Sequence, residues 1–107
     1  MDRAELLGKS TRPVVLVVCP DLGTVCLREL SGAEMARLYT GERPVEEITQ
    51  LLVAASLCDE AGARLLKPED GLALYEAHPS RVLTPIVDEA LRINRMTKSA
   101  VDDAKKA

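Results

Sequence analysis

Ala55-Ser56-Leu57-Cys58-Asp59-Glu60-Ala61-Gly62, continuing through Ala63-Arg64-Leu65-Leu66-Lys67 to Pro68-Glu69-Asp70, organises the middle of this chain. It reads as the end of an apolar helix, an acidic turn, a short apolar return and the start of a new helix. Gly62 falls where a chain leaving Asp-Glu-Ala turns through the left-handed region. Pro68 and the two carboxylates after it suit a helix start. Read from the sequence alone, the stretch carries nothing expected to perform covalent chemistry.

Upstream of this stretch lies the most apolar helical pattern. Ile48, Leu51, Leu52, Ala55 and Cys58 form one stripe, widened by Val53 and Leu57. Pro44 suits its first turn, and Glu46 and Glu47 lie where the helix dipole favours negative charge. Further upstream, Ser31-Gly32-Ala33-Glu34 matches a capping box opening a short helix with Met35, Leu38 and Tyr39 on one face.

The strands come first. Pro13 to Cys19 is an uninterrupted β-branched and apolar run, which predicts a buried strand. Pro20-Asp21-Leu22-Gly23 is a turn, and Thr24 to Leu30 a second strand, so the two form a hairpin. A lone hairpin is marginal in water and must lie on helices or pair further. Residues 1–12 read as a loosely ordered arm and residues 13–107 as one domain.

Downstream, a helix follows Pro68-Glu69-Asp70, in which Gly71 costs about 1 kcal/mol relative to alanine. Leu83, Ile86, Val87, Ala90, Leu91 and Asn94 then keep clean amphipathic spacing. Pro85 leaves two readings: a helix beginning near Thr84, or one beginning at Pro79 with the proline inside it. Asn94 suits the C-terminus of that helix, and Thr97 the N-cap of a last short helix from Lys98 to Lys106. The expected fold is α+β and mainly α, an N-terminal β-hairpin followed by four or five short helices.

Composition narrows the function. The 107 residues carry 29% charged and 47% apolar residues, which suits one globular domain with a modest core. With two Tyr, no Phe and no Trp, that core is aliphatic and base stacking has little to work with. The formal charge of −3 and the scattered cations argue against nucleic acid. Cys19, Cys26 and Cys58 are three, without paired ligand spacing, and point to a reducing compartment with neither disulfide framework nor metal. Cys19 and Cys26 flank the hairpin turn, where they could face each other, but the reading preferred is that the thiols are small buried apolar groups. The longest apolar run is far short of the ~20 residues that span a bilayer, which predicts a cytoplasmic chain. There is no phosphate loop or nucleophile elbow, His78 sits before a proline in an interhelix break, and the paired carboxylates are sequence neighbours. The chain therefore reads as a binding protein without cofactors rather than an enzyme.

Several of these pieces together resemble a known family. Val25-Cys26-Leu27-Arg28-Glu29-Leu30-Ser31 leads into Glu34; Ser56-Leu57-Cys58-Asp59-Glu60-Ala61-Gly62 follows; Leu65-Leu66 precedes Glu69-Asp70; and Ala90-Leu91-Arg92-Ile93-Asn94-Arg95-Met96-Thr97 leads into an acidic-then-basic tail. In order and spacing, over roughly Thr24 to Lys106, this resembles the tail assembly chaperones of long-tailed noncontractile phages and prophages. The resemblance implies a non-enzymatic role. Such a protein binds the tape measure protein, keeps it soluble, helps recruit tail tube protein in the host cytoplasm, and is commonly absent from the finished particle. It also implies a longer form made by frameshifting, for which Lys105 and Lys106 are the candidate position, although two lysines equally suit a helix C-terminus. Self-association is expected. Val15, Val17, Val25 and Leu27 on the hairpin are the candidate partner or oligomer contacts, with packing on the chain's own helices as the alternative. A head–tail connector or tail completion subunit, or an acidic regulator binding a toxin or transcription factor, are the competing functional readings.

Overall fold

A computed structural model describes residues 1–8 and 11–96. The chain is α+β and mainly α. In order, its elements are α1 (Arg3–Leu7), β1 (Val15–Cys19), β2 (Gly23–Leu27), α2 (Gly32–Leu38), α3 (Val45–Ser56), β3 (Leu57–Cys58), α4 (Asp70–Ala77) and α5 (Ser80–Ile93). The expected hairpin is present, with Val17 opposite Val25 at its centre. Its turn places Asp21 and Gly23 at positive φ, a region that aspartate tolerates and glycine prefers.

One feature differs from the sequence reading at this end. The first strand is not buried on both faces, since Leu16 and Val18 are exposed. Within the arm, Arg3–Leu7 is helical, capped by Asp2, and none of its residues is buried.

The larger difference lies in the stretch from Ala55 to Asp70. The apolar stripe of α3 suggests that the helix continues through Leu57 and Cys58, but it stops at Ser56. Leu57 and Cys58 instead pair antiparallel with Leu27 and Cys26, so the sheet has three strands in the order β1-β2-β3. The reason is the backbone. Ser56 is buried, and its carbonyl accepts the Arg28 N–H at 3.0 Å. A buried carbonyl needs a partner, and β2 supplies one. The acidic turn then follows the reading closely. Asp59 Oδ1 accepts the N–H groups of Ala61 and Ala63, each at 2.9 Å, and Gly62 takes φ +87°.

The Ser31–Glu34 capping box is complete in both directions. Glu34 is partly buried, which raises its pKa, but the Ser31 backbone and hydroxyl, with Arg28 and Arg12, outweigh burial and hold it below its ordinary value. Pro44 takes the N-cap position of α3.

α5 begins directly after Pro79 and keeps Pro85 inside it. Pro85 has no N–H to offer the carbonyl of Arg81, an exposed residue, so the missing bond falls on the solvent side of the helix. The helix buries Val82, Leu83, Ile86, Val87, Ala90 and Leu91. It ends with Arg95 at φ +56°, while Arg95 N–H donates to the Arg92 carbonyl at 3.1 Å and Met96 N–H to the Leu91 carbonyl at 2.8 Å. That double closure is a Schellman motif with arginine in the left-handed position.

Helices α3 and α5 and the inward face of the sheet enclose an aliphatic core around Leu27, Leu52, Val53 and Ile86. Asn94, which is 8% exposed, is a polar knot in this core. Its Oδ1 accepts the Leu30 N–H at 2.9 Å, and its Nδ2 donates to the Ala90 carbonyl at 2.8 Å and to Ser56 Oγ at 3.5 Å. One amide thus joins the exit of β2, the end of α3 and the end of α5.

Gly71 is the second point where backbones meet. A Cβ there would stand 2.6 Å from the Gln50 carbonyl oxygen, so α4 lies directly against α3. Sequence alone presents Gly71 as a helix-weakening residue, whereas its role is close packing.

Candidate functional site

Two surfaces present features beyond what the fold requires. The first is the sheet. Alternation along β1 places Val15, Val17 and Cys19 on one face and Leu16 and Val18 on the other. Of the four expected contact residues, Leu27 is 0% exposed, Val17 and Val25 pack against the core, and Val15 is half-buried. The four share the inward face, and Leu27 is closed to any partner. The outward face instead offers Leu16, 66% exposed, and Val18, 77% exposed.

The two sheet edges are unequal. The segment after the acidic turn covers β3: Cys58 bridges to Arg64, and Leu65 N–H donates to the Leu57 carbonyl. Among the described residues β1 carries no such cover. Between Val14 and Cys19 there is no proline, charge or bulge of the sort that guards an edge.

The second surface is a groove of about 460 Å³ between α3, α4 and α5. Val45, Tyr75, Leu83, Val87 and Leu91 supply its apolar lining, and Glu46 and Asp88 its carboxylates. No lysine or arginine lines it among the described residues. The volume falls within the usual range of binding clefts, about 300–1,000 Å³. Close approach of α4 at Gly71 fixes one wall, since Gln50 and Tyr75 both line the groove.

Tyr75 is the most unusual residue of the groove. Among the described residues its buried hydroxyl has no hydrogen-bond partner, and burial pushes its pKa up to about 12. An orphaned hydroxyl opposes folding. Tyr75→Phe is therefore expected to stabilise the chain by about 1 kcal/mol, read as a higher urea midpoint. The wild-type protein should also lose stability between pH 10 and 12, because the unfolded tyrosine ionises at about 10 while the folded one keeps its proton. Tyr75→Phe should flatten that part of the pH profile.

His78 and Ser80 also line this groove, so the histidine is less solvated than its loop position suggests. Among the described residues no hydrogen bond joins His78 to Glu46, Asp88 or Ser80. The Thr84 hydroxyl donates to the Ser80 carbonyl at 2.7 Å, within its own helix. Nothing described activates a nucleophile, and no three of His, Cys, Asp and Glu gather as a metal site among the described residues. No described helix is long and apolar enough to cross a membrane.

Thr97, the helix expected from Lys98 to Lys106, and the frameshift candidates Lys105 and Lys106 lie outside the described residues. No protein-family model, curated protein or solved structure matches the chain.

Proposed function

We propose that this chain is a tail assembly chaperone of the type found in long-tailed noncontractile phages and prophages. It holds a tape measure protein in soluble form and helps recruit tail tube subunits in the host cytoplasm, without entering the finished particle. The observation that carries a chaperone reading is the groove between α3, α4 and α5. Its apolar lining suits the apolar stripe of a client helix, and Glu46 and Asp88 suit basic residues flanking that stripe. The identity of the client rests on the order of the Ser31–Glu34 box, the Asp59–Gly62 turn and the Asn94–Thr97 link. Self-association is assigned to β1, whose open edge and exposed Leu16 and Val18 suit a second copy.

Co-expression with a tape measure protein, taken from any very long open reading frame that gene sequencing finds immediately downstream, tests the client. The expected result is that the long helical product becomes soluble and co-purifies, and that purified particles lack the chaperone. Recovery of the chain as a stoichiometric ring in mature particles would overturn the reading in favour of a connector. Light scattering tests the edge. Wild-type protein is expected as an oligomer. The Leu16→Lys/Val18→Lys double variant is expected to dissociate while keeping its fold within about 0.5 kcal/mol per site, because both side chains already face water.

A further inference from the structure

Cys26 of β2 and Cys58 of β3 stand directly opposite each other in the antiparallel ladder. Two residues along in the same register, the Arg28 N–H donates to the Ser56 carbonyl. Ladder pairs alternate, so Cys26 and Cys58 also form a hydrogen-bonded pair, with Cα atoms about 5.5 Å apart. A disulfide needs a Cα separation of about 4.4–6.8 Å. Directly opposed residues project from the same face, so the two thiols are neighbours. Cys19 is opposite Gly23 and on the inward face, which removes it from Cys26 despite their closeness in sequence. Both thiols are free, Cys26 half-buried and Cys58 2% exposed.

We propose that Cys26 and Cys58 form a reversible redox dithiol, closed to a disulfide by a peroxide or a low-molecular-weight disulfide. Cys26 is the accessible member and meets the oxidant. With hydrogen peroxide, the Cys26 thiolate attacks one oxygen, the O–O bond breaks, and a sulfenic acid and hydroxide result. Cys58 sulfur then attacks the Cys26 sulfur, the S–O bond breaks, and water leaves after the Cys58 proton is transferred. The sum is two thiols and one peroxide giving one disulfide and two waters, with two electrons passing from sulfur to oxygen. With glutathione disulfide, Cys26 first takes one glutathionyl group and releases the other as thiol. Cys58 then displaces the second.

The surroundings suit these separate roles. Burial pushes the Cys58 thiol up, and charge on Cys26 and Asp59 adds to that, while the Arg28 guanidinium opposes it. Cys58 is therefore a poor attacker of oxidants in solution, but placement beside Cys26 replaces that reactivity with proximity. A hydrogen-bonded pair holds its Cβ atoms about 5.5 Å apart, wider than the ~3.8 Å of a relaxed disulfide. Closing the bond draws the strands together, and strained disulfides are the readily reduced ones.

The test is oxidation of the full native chain with hydrogen peroxide, and separately with glutathione disulfide, followed by non-reducing peptide mass mapping. The expected product is an intramolecular Cys26–Cys58 linkage, lighter by two hydrogens, with Cys19 still free and the bond reopened by reduced glutathione. In Cys58→Ser, the Cys26–glutathione adduct should accumulate instead. A wild-type protein that keeps Cys58 free while Cys26 is oxidised, that pairs through Cys19, that links only between molecules, or that does not react would overturn the proposal.

Discussion

Replacing Asn94 with alanine is expected to cost about 3 kcal/mol, the largest loss of any polar substitution in the described chain. Alanine leaves the Leu30 N–H buried with no acceptor and takes a donor from the Ala90 carbonyl and Ser56 Oγ. A buried donor without a partner keeps its full desolvation penalty. In a domain of this size the loss corresponds to roughly 12–20 °C in melting temperature. Urea titration followed by far-UV dichroism measures it. Aspartate at this position keeps an acceptor for Leu30 but turns a second oxygen toward the Ala90 carbonyl, so it should restore little. The control is Arg92→Ala, two residues earlier. That guanidinium pairs with Glu89 in open solvent, and its loss should leave the midpoint in place. If Asn94→Ala matched that control, the three-way junction would be without energetic weight.

Gly71→Ala is the second test, and two physical arguments predict opposite signs for it. Helix propensity alone gives alanine an advantage of about 1 kcal/mol in α4. Packing predicts the reverse. The added Cβ meets the Gln50 carbonyl oxygen at 2.6 Å and the Gln50 carbonyl carbon at 3.0 Å, both backbone atoms of a core helix that cannot swing aside. Relief requires α4 to move away from α3, at about 1–3 kcal/mol for overpacking. A net loss of about 2 kcal/mol is expected, together with a widened groove, because Gln50 and Tyr75 line it. A stabilised Gly71→Ala protein would show that the helices slide freely.

Features whose cause is local were legible in the sequence. The Ser31–Glu34 box, the left-handed Gly62 and the 3.6-residue stripe of α5 each depend on residues within a turn or two, and each appears as read. Features decided by distant partners were not. Leu57 and Cys58 continue the apolar stripe of α3, and both types occur in helices. The helix ends at Ser56 where the bond from Arg28, 28 residues earlier, and the pairing of Leu57 and Cys58 with Leu27 and Cys26 take over. Pro85 left the start of α5 undecided because proline is tolerated both at a helix start and where the missing bond faces water.

The candidate surfaces were harder still. In Pro13-Val14-Val15-Leu16-Val17-Val18-Cys19 every position is apolar or proline, so no two-residue alternation marks which face is outward. Nothing in the sequence therefore marks Val15, Val17, Val25 and Leu27 as the inward row. The groove draws on three helices, and Leu83, Val87 and Leu91 carry the same spacing whether they face the core or line a cleft. Tyr75 was the available signal, as one of two aromatic residues in the whole chain.

The order β1-β2-β3 also fixes a timetable for assembly during synthesis. β1 and β2 are joined by a three-residue turn, so their hairpin can form within about 1–10 μs of emerging. The second partner of β2 lies some thirty residues later, beyond α2 and α3, and translation at about 5–20 residues per second delivers it only after roughly 1.5–6 s. For that interval the hairpin is a two-edged ribbon with the apolar side chains of Val25 and Leu27 uncovered. The nascent chain is therefore at its stickiest while it still lacks Leu57 and Cys58, and becomes one-edged only when Ala63 to Leu65 have also emerged and folded back over β3.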